Sequence, residues 1–355
     1  MRVLITGICG FVGSTLAMEL RASIDGLEVI GLDNLWRPGS ETNRSMLRKA
    51  GIRLFHGDVR CASDFEPLPP VEWVIDAAAN ASVLAGVDGA TTPRQLIEHN
   101  LMGTVNVLEY CRRHSAGFVL LSSSRVYSIP ALKAVPLAEH GKAFVFSSAT
   151  PMPALSAAGL TESYPVGAPA SLYGATKFAS EQLALEYAEA FGVPVWINRC
   201  GVLAGAGQFG QPAQGIFAWW LNRWYKRQPL KYLGFGGRGL QVRDCLHPKD
   251  LATVVQHQLR AQPSANETVV FNVAGGAPNS MSLAQLSIWC SDRFGSHSVA
   301  SDGGERLFDV PWVVLDSTAV QRRWNWAPER SIEDVLGEIA DHAVANPDWL
   351  LVSEG

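Results

Sequence analysis

The stretch Arg2-Val3-Leu4-Ile5-Thr6-Gly7-Ile8-Cys9-Gly10-Phe11-Val12-Gly13 decides the fold. A short apolar run bounded by glycine has the composition of a buried parallel strand. It passes directly into glycines spaced Gly-x-x-Gly-x-x-Gly, and Ser14 to Leu20 then follows a helical pattern. A strand that turns through glycines into a helix lets the backbone approach a pyrophosphate at the positive helix N-terminus. Glycine-rich turns are common; the position between first strand and first helix gives this one its weight.

Working outward, a second strand from Leu27 to Leu32 ends at Asp33, twenty residues after Gly13. That is where an acid meets the adenosine ribose hydroxyls, and a carboxylate there repels a 2′-phosphate, so NAD is favoured over NADP. The alternative is that Asp33 only caps a turn with Asn34. Arg53 to His56 reads as a third strand, with Gly57-Asp58-Val59 at its carboxyl end as a resting place for adenine. Trp73 to Asp76 is a fourth, and Ala77-Ala78-Ala79 after it leaves room for a dinucleotide. A helix from Gln95 to Arg113 carries Asn100 between apolar neighbours. A buried amide must find partners, so Asn100 is a structural pin or part of a proton path, the pin being favoured. Phe118 to Leu121 runs into Ser122-Ser123-Ser124-Arg125-Val126-Tyr127, hydroxyls at the carboxyl end of a parallel strand, where ligands bind. Alternating strands and helices predict an α/β chain with a Rossmann-type doubly wound parallel sheet.

Ser171-Leu172-Tyr173-Gly174-Ala175-Thr176-Lys177 opens the longest helical run, which stops at Gly192-Val193-Pro194. Positions four apart share a helix face, so Tyr173 and Lys177 are expected to point into one cleft. A nearby ammonium and an oxidised nicotinamide would favour the phenolate and let Tyr173 act as a general base. Between Ser128 and Ser171 lies a long Pro-, Ala- and Ser-rich region, expected to be a substrate-side loop or lid. Another strand runs from Val195 to Asn198. The rings at Phe217, Trp219, Trp220, Trp224 and Tyr225 suit a core or interface better than a nucleobase. Arg243 offers a fork for phosphate, or a salt bridge to Asp244 or Asp250; Arg306 is a second candidate for the clamp. Ser331 to Ala345 is an amphipathic closing helix.

At 355 residues the chain suits one large domain or two interleaved ones. A net charge of −4 with 17% charged residues leaves no basic stripe for nucleic acid, and no apolar run approaches the ~20 residues of a membrane span. The start fits no signal peptide. Six scattered cysteines without Cys-x-x-Cys read as reduced thiols, with neither disulfide framework nor metal site, so a cytoplasmic location is expected.

Together these residues resemble the extended short-chain dehydrogenase/reductase family, the nucleotide-sugar epimerases and dehydratases, over essentially the whole chain. In that family a Ser or Thr four residues before the tyrosine of a Val-Tyr dipeptide binds the reacting oxygen; counted back from Tyr127, this is Ser123. The resemblance implies Tyr173 as base, Lys177 on the nicotinamide ribose and Ser123 as orienter. It implies NAD held by Gly7, Gly10, Phe11, Val12, Gly13, Asp33, Asn34, Asp58, Val59, Ala77, Ala78, Ala79 and Asn100, and a homodimer. The family's dehydratases carry Asp-Glu directly after the catalytic hydroxyl, whereas this chain has Ser124 and Arg125, so sugar dehydration is discounted.

More similar is a branch that inverts carbon 2 of a CDP-linked deoxyhexose through a transient ketone. Its basic residue two after the hydroxyl is matched by Arg125, and its Gln-Gly-aromatic segment by Gln214-Gly215-Ile216-Phe217. Its Gly-x-Gln-Val-Arg-Asp is matched from Gly239 to Asp244, and its Arg-x-x-Asp by Arg306 and Asp309. Ser124, Arg125, Asn198, Cys200, Gln214, Gly215, Gln241, Arg243, Arg306 and Asp309 are the implied substrate contacts. Three departures flank the sugar pocket: Ser128 where glycine is usual, a longer region from Ser128 to Ser171, and Cys200-Gly201 in place of small hydroxyl residues. The implied organisation is an NAD-binding part, 1–199 and 240–272, interleaved with a smaller C-terminal substrate domain, 200–239 and 273–355. A 4-epimerase or simple oxidoreductase of another nucleotide sugar would use the same Ser/Tyr/Lys set. A non-catalytic dinucleotide-binding sensor would have let that set decay, and here all three members are present.

Overall fold

The computed structural model describes residues 1–147, 152–263 and 267–353. In chain order the elements that build the site begin with β1 (Arg2–Thr6), α1 (Phe11–Ser23), β2 (Glu28–Asp33), β3 (Arg53–His56) and β4 (Trp73–Asp76). Then come α2 (Gly103–His114), β5 (Gly117–Ser123), α3 (Ser171–Phe191), β6 (Val195–Cys200) and α4 (Ile216–Tyr225). The last are β7 (Val242–Leu246), α5 (Pro248–Arg260), β8 (Val270–Val273) and α6 (Ile332–Ala345).

Seven strands form one parallel sheet in the order β8-β6-β5-β4-β1-β2-β3. Val3, Leu4 and Ile5 are wholly buried because helices cover both faces, which is why β1 reads as continuous rather than alternating apolar sequence. α1 and α5 pack on one face, α2 and α3 on the other. The chain winds outward through β2 and β3, then returns to lay β4 beside β1. That reversal puts the ligand crevice at the carboxyl ends of β1 and β4.

The helix expected from Gln95 to Arg113 is three pieces: Pro93–Ile97, a π turn over Glu98–Met102, and α2. Asn100 sits in the π turn, a distortion frequent at functional sites.

β7 pairs with Val202–Leu203, Ser280–Ser282 and Trp312–Val313 in a second, four-stranded sheet. The sequence-based division places β7 with the NAD-binding part; it lies instead in the smaller sheet because Val202–Leu203, just past the end of β6, pairs with it in parallel, while α5 and β8 stay with the large sheet. Trp220 and Trp224 on α4 are buried against Leu286, Leu336 and Ile339, so these rings are core. The region from Ser128 to Ser171, expected as a loop or lid, carries regular elements. It holds a short helix, Ile129–Lys133, and two hairpins, Leu137–His140 with Ala143–Phe146 and Leu155–Ser156 with Gly159–Leu160. Phe144 N–H to Leu240 O at 3.0 Å and Ser282 Oγ to Lys142 O at 2.7 Å bind the first hairpin to the smaller sheet. Residues 148–151 of that region lie outside the described residues. No helix among the described residues is long and apolar enough to cross a membrane.

Candidate active site

Where β1 and β4 part, a cleft encloses about 1080 Å³ of empty space, its open mouth included. Its floor is the glycine turn. Gly7 has φ +64°, and a Cβ at Gly13 would lie 2.3 Å from the Gly7 carbonyl oxygen, so this turn closes only on glycine. Gly10, the N-cap of α1, has no side-chain cap and the first turn carries no acid, which leaves bare N–H groups for an anion. A Cβ at Gly7 would lie 2.9 Å from the Ala78 Cα, so the alanines after β4 press directly on the turn. These features fit the pyrophosphate of a dinucleotide.

Asp33 accepts the Cys9 N–H at 2.8 Å and the Leu35 N–H at 2.7 Å, so the carboxylate both caps its own turn and steadies the glycine loop. Burial raises its pKa while those two donors pull it down. Gly57 and Val59 line the cleft, and the Asp58 carboxylate between them is held by its neighbours. It accepts from Asn34 Nδ2 at 3.0 Å and pairs with Arg60 at 2.6 Å; against the upward push of burial, Arg60 holds it well below the usual carboxylate range. Asp58 is thus committed to Asn34 and Arg60. Asn100 is likewise spent. It accepts the Asn80 N–H at 2.8 Å and donates to Asn80 O at 3.1 Å and Thr176 Oγ1 at 3.2 Å. These bonds tie the cleft wall to α3, as a structural pin does.

α3 carries Tyr173 and Lys177, 7% and 3% exposed respectively, toward the carboxyl end of β5. The serine run divides its work. Ser122 Oγ donates to Glu181 at 2.5 Å, Ser123 Oγ accepts the Arg125 N–H at 3.1 Å and meets the Tyr173 phenol, and Ser124 is buried. Because its oxygen already accepts from Arg125, the Ser123 hydrogen is left for another acceptor. Glu181 also holds Arg199 at 2.7 Å, a buried pair that joins α3 to β6.

The ammonium bonds to the backbone of β5. Lys177 Nζ donates to Leu121 O at 2.9 Å, leaving two N–H groups unspent, and the cation acting on Tyr173 is Arg125. Burial pushes Tyr173 up to about 12, outweighing the opposing pull of Ser123 and Arg125. Cys200 closes in beside this pair; burial pushes its thiol up to about 12, offset in part by Lys177.

Three guanidinium groups gather near Asp309, and one of them, Arg125, also acts on the phenol. Arg243 Nη2 donates to Val310 O at 2.8 Å and pairs with Asp309 at 3.1 Å; Arg125 Nη1 donates to Phe308 O at 3.3 Å; Arg306 Nη2 donates to Pro212 O at 2.9 Å. The partner of Arg243 is thus Asp309. Asp244 accepts from Leu315 N and Asp250 pairs with Arg330. Burial and the neighbouring Arg243 push Arg125 down to about 10, as expected of cations crowded around one carboxylate. Gln241 is buried beside them, donating to Leu233 O at 2.6 Å.

Other expected substrate contacts lie elsewhere. Asn198 is fully buried and exchanges two hydrogen bonds with Gln258 of α5, at 2.9 and 2.8 Å. Strand alternation turns Trp196 and Asn198 toward that helix and away from the cleft. Gln214 lines the dinucleotide cleft, and Gly215 starts α4 at φ +74°. Trp36, Arg37, Ser40, His99, Gln208 and Phe209 also line that cleft. None was singled out from the sequence, because they come from irregular segments with no period, joined only by folding.

The sequence profile of the NAD dependent epimerase/dehydratase family matches residues 3–274. CDP-paratose 2-epimerase of Salmonella typhi is 29% identical over 350 residues, covering 96% of this chain and 98% of that protein. UDP-glucuronate 4-epimerase of Thermodesulfobacterium geofontis is 25% identical, covering 94% and 93%. Among solved structures, the UDP-glucose 4-epimerase of Thermus thermophilus in complex with NAD superposes with a TM-score of 0.75 at 25% identity, over 96% of this chain and 98% of that one. A glycine-floored dinucleotide cleft on a seven-stranded parallel sheet, and similarity along nearly the whole length, make this chain a member of the NAD dependent epimerase/dehydratase family, an NAD-dependent enzyme of the extended short-chain dehydrogenase/reductase type.

Proposed function

We propose that this protein is a nucleotide-sugar epimerase that inverts carbon 2 of a CDP-linked deoxyhexose through a transient ketone. The observation that carries the reading is the meeting of Tyr173 and Ser123 with the Arg125, Arg243 and Arg306 cluster, a proton-transfer group beside an anion site. The arginines bind the diphosphate of the substrate and so set the sugar against the phenol. Ser123 donates to the reacting sugar oxygen, and Tyr173 takes its proton. Lys177 holds a ribose hydroxyl with the N–H groups not used by Leu121. Bound NAD would supply the hydride acceptor and donor and, when oxidised, positive charge that favours the phenolate. A phenol raised to about 12 by burial needs added positive charge to work as a base near neutrality. Inversion requires the sugar to turn between the two transfers while its diphosphate stays clamped. Arg125, two residues after Ser123, carries no transferable proton near neutral pH, which argues against dehydration.

The CDP-linked substrate and carbon 2 rest on similarity to CDP-paratose 2-epimerase, also called CDP-tyvelose epimerase, and on the motifs at Arg125, Gln214 and Arg306. A homodimer in the cytoplasm belongs to the same reading. The 4-epimerases among the relatives favour a second, inversion at carbon 4 of a UDP-linked sugar. Incubation with CDP-, UDP-, GDP- and dTDP-hexoses, with products examined by NMR, separates them. Inversion at carbon 2 of a CDP-hexose is expected; inversion at carbon 4 of a UDP-hexose selects the alternative, and no inverted product from any of them contradicts both.

A further inference from the structure

Arg37, in the loop after β2, lines the dinucleotide cleft and is half-buried. Among the described residues no carboxylate pairs with it, and burial lowers its pKa. Nη2 donates to the carbonyl oxygen of Phe209, 172 residues away on the segment after Val202–Leu203. The Phe209 ring rests on the same loop, since a Cβ at Gly39 would lie 2.5 Å from it. Arg37 thus spans the cleft between two segments that no strand pairing joins, with four of its five N–H groups left over.

A desolvated cation without an anion is costly. The other formally charged side chain on the cleft wall is Asp33, and its carboxylate is engaged by the Cys9 and Leu35 N–H groups. An anion received in the cleft would therefore meet the free N–H groups of Arg37 with no competing carboxylate on the cleft wall. The uncapped N-terminus of α1 presents N–H groups to the same space, so donors converge on it from two elements.

We propose that Arg37 is a ligand of the pyrophosphate of NAD, closing over the phosphates that the N-terminus of α1 receives and fastening the cofactor beneath the Arg37–Phe209 span. The proposal rests on this cleft being the NAD site. Guanidinium–phosphate bonds are charge-assisted and bidentate, so their loss acts on phosphate-bearing ligands specifically.

The test loads the protein with the fluorescent analogue etheno-NAD and displaces it at equilibrium with ADP or with adenosine. Retention of etheno-NAD by the wild type tests the cleft by itself; the ratio of ADP to adenosine affinity tests Arg37. Arg37→Met, which keeps the aliphatic stem, is expected to lower that ratio about tenfold. Phe209→Ala, which opens the span without removing charge, is expected to weaken both ligands alike. The ratio is measured within one folded protein, so general loosening of the loop cannot mimic the effect. Should Arg37→Met fail to fold, Arg37→Lys, which keeps the charge but loses the planar fork, must lower the ratio as well. A ratio equal to that of the wild type in the folded variant overturns the assignment.

Discussion

A Cβ placed on Gly174 would lie 2.2 Å from the carbonyl oxygen of Arg125, so the helix that carries Tyr173 rests backbone to backbone on the turn that carries Ser123. No side chain separates them, and that contact sets the distance between phenol and serine hydroxyl. Gly174→Ala must push the two apart. We expect kcat to fall about 10²-fold, the scale of a displacement near 1 Å, with bound NAD retained. Unchanged turnover would show that this contact does not set the geometry.

Arg125 acts on the phenol as well as on substrate. Burial raises the Tyr173 pKa and the neighbouring guanidinium lowers it, so Arg125→Met removes a downward pull. A base works in its deprotonated form; the acid limb of kcat/KM against pH is therefore expected to move to higher pH. An unmoved limb, even with a raised KM, would confine Arg125 to substrate binding.

Asp33 lines the cleft and supports the glycine turn through Cys9; on the proposed reading it also meets the ribose. Asp33→Ala is expected to weaken NAD by about 10- to 100-fold, the worth of hydrogen bonds to a charged group, and NADP by far less, since the repulsion of a 2′-phosphate disappears with the carboxylate. Equal losses in titrations of the two cofactors would leave Asp33 with the turn alone.

Glu181 and Arg199 form a buried pair between α3 and β6, joined by Ser122. Glu181→Gln leaves a guanidinium buried without its anion and is expected to cost about 3 to 5 kcal/mol. Thermal unfolding should show a clearly lower midpoint, and Glu181→Met with Arg199→Met should recover part of it. A midpoint equal to the wild type would make the pair dispensable.

The dinucleotide half was legible because its physics is local. A strand buried on both faces reads as an apolar run, and a turn in which a Cβ would strike Gly7 O must be glycine. That Tyr173 and Lys177 share one helix was legible, although the bond of the ammonium was not: only the fold brings Leu121 O within 2.9 Å. The substrate side depends on contacts between distant segments. Asn198 looked available until β6 turned it toward Gln258, 60 residues away. The pairing of Asp58 with Arg60 was not legible either. The span from Ser128 to Ser171 had a loop's composition, yet its strands of two to four residues suffice for hairpins once the smaller sheet is there to receive them. Arg37 and Phe209 have no common motif and meet only across the finished cleft.

The central claim is that the Tyr173 phenol moves the proton of the sugar alcohol. Tyr173→Phe removes one oxygen from a side chain that is already buried, so fold and NAD content should persist. With the nucleotide sugar that the wild type turns over, the account predicts a kcat lower by about 10³-fold at unchanged NAD occupancy; turnover close to that of the wild type would contradict it.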